Sequence, residues 1–261
     1  MHSLTVLLAY IKQNLKEAFA YRVDTLVNIG TMLLWTGWDL ITLGIIFNNT
    51  NTIGGWRIGD MIVLMGEFRL ALTFMTMLAG PNTEHFNRGI REGTLDYTFL
   101  QPLDSQFAVS FQKMVVWRVF DLLLGAGIIL IGVFYSGSLP HAADALFFVM
   151  LTCSGIMIIY SLWIVLIALT FWFTKFDNNV TLMQALMDSG RFPSTVFPAW
   201  LRALVTFVVP IAVATTVPVQ ALRGELPPWQ IAAALGASVC AFALSRLVWR
   251  AGVKRYSGAS S

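Results

Sequence analysis

Charge is what this chain has least of: charged residues make up 12% of its 261 positions, about half the share found in a soluble domain. The deficit excludes a water-soluble globule. A net charge of +3, spread over loops without an aromatic and basic patch, gives no footing for nucleic acid either. Cysteine is almost missing too. Cys153 and Cys240 each sit inside an apolar run, where a thiol behaves as a small hydrophobe, and two of them make no disulfide scaffold. The imidazoles are His2, His85 and His141, none with a metal partner at useful spacing, so no metal site is expected. No GxxxxGK[ST] phosphate loop occurs, which excludes ATP hydrolysis by that route, and neither HExxH nor GxSxG is present. No catalytic residue and no resident cofactor are expected. No tandem or inverted repeat is legible.

Apolar residues, by contrast, fill 57% of the chain, and its mean hydropathy is +0.70. Several runs reach the ~20 residues that a helix needs to cross a bilayer. Helices satisfy their own backbone groups there, so these runs define an all-α polytopic membrane protein, read as one domain over residues 1–261. Leu4, Leu7, Leu8, Ile11, Leu15 and Phe19 recur at helical spacing, with Lys12, Gln13, Lys16 and Glu17 opposite them. This pattern predicts an amphipathic interface helix over residues 1–22, lying on the membrane or, as the alternative, on a soluble partner. No cleavage site follows the short apolar run, so no removed signal peptide is expected. Spans are expected at about 24–47, 61–79, 114–135, 145–174 and 229–249. The fourth carries Tyr160, Trp163, Phe171, Trp172 and Phe173, a set that suits a lipid or interfacial face.

Three ionisable side chains, Asp39, Glu67 and Arg69, fall within the first two spans. An unpaired charge there costs several kcal/mol. Asp39 with Arg69 is therefore a candidate interhelical pair; an ion or substrate relay, or snorkelling to the surface, are the alternatives. Between the second and third spans, residues 88–103 make the longest polar interruption. Glu84, His85, Asn87, Arg88, Arg91 and Glu92 crowd together while Phe86, Ile90 and Leu95 leave an apolar edge. Asn82 or Thr83 can cap a start, Glu84 suits the positive end, and Gly93 and Pro102 are stop signals. A short, separate docking helix follows from this reading, with an ordinary loop as the alternative.

Residues 178–222 are interrupted by Pro193, Pro198, Pro210 and Pro218 and carry Asp188, Arg191 and Arg202. Two layouts fit. In one, 178–202 is an inner surface helix and loop, and 203–222 is a kinked fifth span. In the other, 178–197 crosses and 198–222 folds as broken helices dipping into the outer leaflet. Either gives six crossings. Basic residues gather at both termini, in the 88–103 stretch with Lys113 and Arg118, and in the later bend with Lys175, while Arg57 and Arg223 stand on the other side. This bias places both termini and the charged stretch in the cytoplasm.

REGTLDYTFLQPLD at 91–104 and FPSTVFPAWLRALVTFVVPIAVATTVP at 192–218 resemble the membrane subunit of an ABC-2 type transporter. More narrowly, they resemble the bacterial permeases that pair with a separately encoded ATPase. The resemblance implies an inner-membrane protein, working as a homodimer or with a second permease, in contact with membrane lipid. ATP and Mg would be bound by the partner ATPase. It further implies that residues 83–95 are a coupling helix seated in a cleft of that ATPase. Glu84 opens this helix, Arg88, Arg91 and Glu92 are its contacts, and Gly93, Thr94, Leu95 and Asp96 continue the motif. The family often has a basic residue where Gln101 stands, so Gln101 receives no role. Residues 198–222 become a re-entrant gate punctuated by Pro193, Pro198, Pro210 and Pro218, although Asp188 and Arg191 are unusually polar for a fifth span. The implied function is ATP-driven export of an amphiphile, drug, lipid or glycan. One rival is an ion-coupled secondary carrier using Asp39, Glu67 and Arg69; another is a lipid-modifying enzyme, for which no catalytic cluster is found.

Overall fold

The computed structural model describes residues 2–20, 22–100, 103–137, 139–173 and 179–257. Expectations on Gln101, Pro102, Lys175 and residue 178 lie outside them, as do those on the side chains of Leu4, Glu17 and Phe19. Among the described residues every named element is a helix, and an isolated bridge between Ile53 and Trp56 is the only extended pairing. Five helices among the described residues are long and apolar enough to cross a membrane, and a bent pair is a further broken span or re-entrant loop. This is an all-α, multi-pass membrane protein.

The amphipathic pattern becomes α1 (His2–Ala20), and the first span becomes α2 (Arg22–Asn49). Asn14 anchors α1. Its amide donates to the Gln112 carbonyl at 3.4 Å, and its carbonyl oxygen accepts from the Met114 amide at 3.2 Å. Only 17% of the apolar window of α2 is covered, so its outer face is left to lipid or to a partner.

The second span, α3 (Ile58–Phe74), packs along the third, α7 (Val119–Tyr135). Glycines make that approach possible. A Cβ on Gly66 would come within 2.8 Å of the Gly125 carbonyl, and one on Gly132 within 2.7 Å of the Val63 amide. Within lipid, where apolar burial gives little drive for helices to associate, small residues of this kind allow the backbones to touch. The fourth span is α8 (Ala142–Ala168), and the last is α12 (Pro228–Ser257).

The charged stretch does not start a separate helix. From α3 the chain passes through a π-helical turn (Met75–Ala79) into α4 (Gly80–Glu92), so the second span continues to Glu92. Pro81 sits in its path and removes one helical N–H. The Met77 carbonyl, four residues earlier, receives the Val115 amide instead at 3.0 Å, and the Leu78 carbonyl receives the Asn82 side chain at 2.7 Å. The expected cap at Asn82 or Thr83 is thus corrected: both are buried mid-helix, with the Thr83 hydroxyl on the Ala79 carbonyl.

After α4 come α5 (Leu95–Phe99) and α6 (Ser105–Phe111), which return the chain to α7. Next to the undescribed residues 174–178, α9 (Asn179–Asp188) opens the proline-rich segment. Asn87 of α4 donates to Asn179 at 3.2 Å, and sixteen residues on, Thr195 donates to the Gly54 carbonyl at 3.3 Å. Residues 179–195 therefore run from the α4 end of the bundle to the end that carries Arg57. Then α10 (Ala199–Ala203), extended by a π-helical turn (Leu204–Val208), meets α11 (Ile211–Leu222) at a 98° bend. Arg223, just past α11, lies 3.5 Å from Asp60 near the start of α3. Both ends of the bent pair thus lie at the Arg57 end, and its elbow lies inside. Arg202 joins Arg57 and Arg223 at this end, donating to the Thr195 carbonyl at 2.7 Å.

Candidate functional site

The far end of α4 is a finished helix terminus. Gly93 adopts φ +68°, its amide reaches the Ile90 carbonyl at 3.4 Å, and the Thr94 amide reaches the Gly89 carbonyl at 2.9 Å. This is the glycine-terminated close of an α-helix, which a side chain at Gly93 would strain. Beneath it lies an aromatic cluster. Phe86 packs edge-on to Phe171, with centroids 5.4 Å apart, and tilts on Trp249 at 5.6 Å; Phe99 meets Tyr256 at 5.6 Å. Phe171 and Trp163 are therefore core, which corrects the lipid-facing reading of the fourth-span aromatics; Trp172 and Phe173 remain exposed.

Three ties hold the tip to the bundle. Asn82 donates to the Ser110 and Lys113 carbonyls at 3.0 and 2.7 Å and accepts from the Lys113 amide at 2.8 Å, pinning α4 to the end of α6. Trp163 of α8 donates to Thr83 at 2.7 Å. Arg246 of α12 forks onto Asp104, the N-cap of α6, while Trp249 donates to Ser105 at 3.0 Å. The Arg246 guanidinium holds the Asp104 carboxyl below its usual range, with burial acting the other way.

On this platform Glu84, Arg88, Arg91, Glu92, Gly93, Thr94 and Asp96 are exposed. Leu95 is not. It is 3% exposed and packs on Gly89, so it belongs to the platform itself. Leu100, which sequence reasoning passed over, is 80% exposed; its apolar neighbours Phe99 and Leu103 gave no signal that it would stand out.

Inside the bundle, Asp39 and Arg69 do not pair, which corrects the expected bridge. Arg69 lies one turn beyond Gly66 and so shares the face turned to α7. There it meets Asp121, unnoticed in the sequence, at 2.8 Å, and Arg118 closes on the other carboxylate oxygen at 2.9 Å. Asp39 instead lies 3.7 Å from Arg191, which bonds Asp188 at 3.0 Å and stacks over Phe68 at 5.2 Å. Glu67 points the other way and accepts from Thr152 of α8 at 3.1 Å. The three residues of the proposed ion relay thus have three different partners.

Of the four prolines, Pro198 and Pro210 bracket the π-extended α10, Pro218 lies inside α11, and Pro193 precedes a short 3₁₀ turn (Ser194–Val196). A polytopic helical bundle with a structured charged tip and an elbow of broken helices defines the class. A family model described as ABC-2 family transporter protein matches residues 33–260, and the chain belongs to that family. It is a transporter membrane component. No curated protein and no solved structure matches it.

Proposed function

We propose that this chain is the permease subunit of an ATP-driven exporter in a bacterial inner membrane. It works as a homodimer or heterodimer, with a separate ATPase that binds ATP and Mg. Both termini and the tip built by α4, α5 and α6 face the cytoplasm. The observation that carries the reading is the unbroken helix Ile58–Glu92, which joins the interior charge Arg69 to an exposed Arg88, Arg91 and Glu92. A helix rises about 1.5 Å per residue, so this one is long enough to span the bilayer and project beyond it.

The mechanism follows from stiffness. When the ATPase closes on nucleotide, the tip moves with its cleft. Asn82, Trp163 and Arg246 prevent the tip from sliding on its own, so α3 must move as well. At the other end the bent pair at Ala199–Leu222, read as a re-entrant gate, gives the chain a jointed element that can answer this motion. Nucleotide biases one arrangement only by as much as it binds that arrangement more tightly. Reversing three charges together (Arg88→Glu, Arg91→Glu, Glu92→Arg) is expected to abolish ATPase association while the protein still inserts and purifies as a folded species. Intact complex formation by this triple variant would sink the coupling assignment.

A further inference from the structure

The group formed by Arg69, Asp121 and Arg118 is one anion short. Asp121 is 2% exposed and takes a hydrogen bond from each guanidinium. Each arginine brings five N–H donors and keeps its proton, so a single carboxylate leaves a net positive charge and most of the donors unused. Arg118 Nε is itself buried with no hydrogen-bond partner. Inside a membrane such a deficit is costly unless another group answers it. The nearby carboxylates bond elsewhere: Asp188 and Asp39, the latter on the wall of the same cavity, sit on Arg191 at 3.0 and 3.7 Å, and Glu67 is turned to α8, so the spare donors of Arg69 and Arg118 stay unanswered.

The triad opens into a cavity of about 380 Å³, with Trp35 and Trp38 of α2 and Phe68 of α3 on its walls. That is the size of a small-molecule site, with a few convergent polar groups on an apolar lining. We infer that this cavity binds an amphiphile with a single oxyanion head, such as a carboxylate, phosphate or sulfate. The head accepts from Arg69 and Arg118, whose forked donors match such oxygens. The apolar body lies along Trp35 and Trp38. That the ligand is cargo rests on the exporter reading; that the site takes an anion does not. The same head can belong to a membrane phospholipid or to a free amphiphile.

The permease alone, in phosphatidylcholine nanodiscs, is to be titrated with dodecylphosphate and with dodecyltrimethylammonium, followed by tryptophan fluorescence. Dodecylphosphate is expected to bind saturably and at least about tenfold more tightly than the cation of equal chain length. Arg118→Gln is expected to remove that preference, weakening dodecylphosphate about tenfold or more and leaving the cation unchanged. Arg69→Gln should act alike; if it does not fold, Arg118→Gln and the wild-type selectivity decide. Equal affinity for the two probes in the wild type, or dodecylphosphate binding untouched in Arg118→Gln, overturns the inference. Adding phosphatidylglycerol separates the sources: competition assigns the site to a lipid head, lack of competition to a free amphiphile, and both keep the anion site. No ATPase enters this assay, so its failure leaves the exporter reading intact and the failure of that reading leaves this one intact.

Discussion

The second span and the segment before the last one both carry a proline in a helical stretch, and they meet it in opposite ways. At Pro81 the interrupted ladder is repaired from a neighbour, because Val115 supplies the donor that Met77 would otherwise lack, and the Asn82 side chain donates to Leu78 beside it. The helix continues. At Pro210 the chain leaves helical geometry, with Val209 at φ −123° and ψ 81°, and turns through 98°. The contrast teaches that a proline becomes part of a strut or of a joint according to what packs beside it, and its own chemistry does not decide which.

The ties of the two regions differ in the same sense, which gives the comparison its first and largest test. Asp121, beside the strut, is buried under two arginines, whereas Asp39, tied to Arg191 in the proline-rich segment that leads to the joint, is 37% exposed and loosely held. Asp121→Ala strands two guanidiniums and is expected to destabilise by about 3–5 kcal/mol. Asp39→Ala is expected to cost about 1 kcal/mol or less. Thermal unfolding in detergent reads both, and equal losses would erase the distinction. Next in size, Asn82→Ala leaves the Ser110 and Lys113 carbonyls unanswered at a cost of about 1–3 kcal/mol. Hydrogen exchange is expected to quicken at the junction of α3 and α4 and to stay unchanged in α11.

Smallest is the acid limit of the tie between α6 and α12. Arg246 holds the Asp104 carboxyl below its ordinary value. A depressed folded-state value means that the tie gives its full support above the ordinary aspartate range, near about 4, and loses it only as pH falls through the lowered value. Asp104 is 43% exposed, so the effect is expected to stay under about 1 kcal/mol. Fluorescence of Trp249, which donates to Ser105, should hold steady to pH 4 and change below it. In Asp104→Asn that acid step should vanish.

Much of the fold was legible because it rests on long-range averages along the chain. Five apolar runs, the amphipathic α1 and the polar character of residues 84–96 are properties of composition and period, and the structure keeps all of them. What the sequence hid depends on register between helices. Asp39 and Arg69 look like partners because both are charged and sit in adjacent spans, but the glycine face of α3 turns Arg69 toward α7 and Asp121. The glycines Gly59, Gly66, Gly125 and Gly132, spaced two turns apart in each helix, were the available clue. The cap expected at Asn82 failed for a similar reason. A polar side chain before a charged run resembles a helix start, and only the facing Ser110 and Lys113 carbonyls reveal a buried staple.

The central claim is that one continuous helix carries movement from the ATPase to the jointed gate, and its most direct test needs no cargo. Spin labels at Trp200→Cys on α10 and Trp229→Cys at the start of α12, in a Cys153→Ala and Cys240→Ala background, report the gate in a reconstituted complex with the ATPase. The distance between them is expected to shift when a non-hydrolysable ATP analogue binds. Inserting three glycines between Gly80 and Pro81 should abolish that shift while the ATPase stays bound; an undiminished shift in the insertion variant would contradict the account.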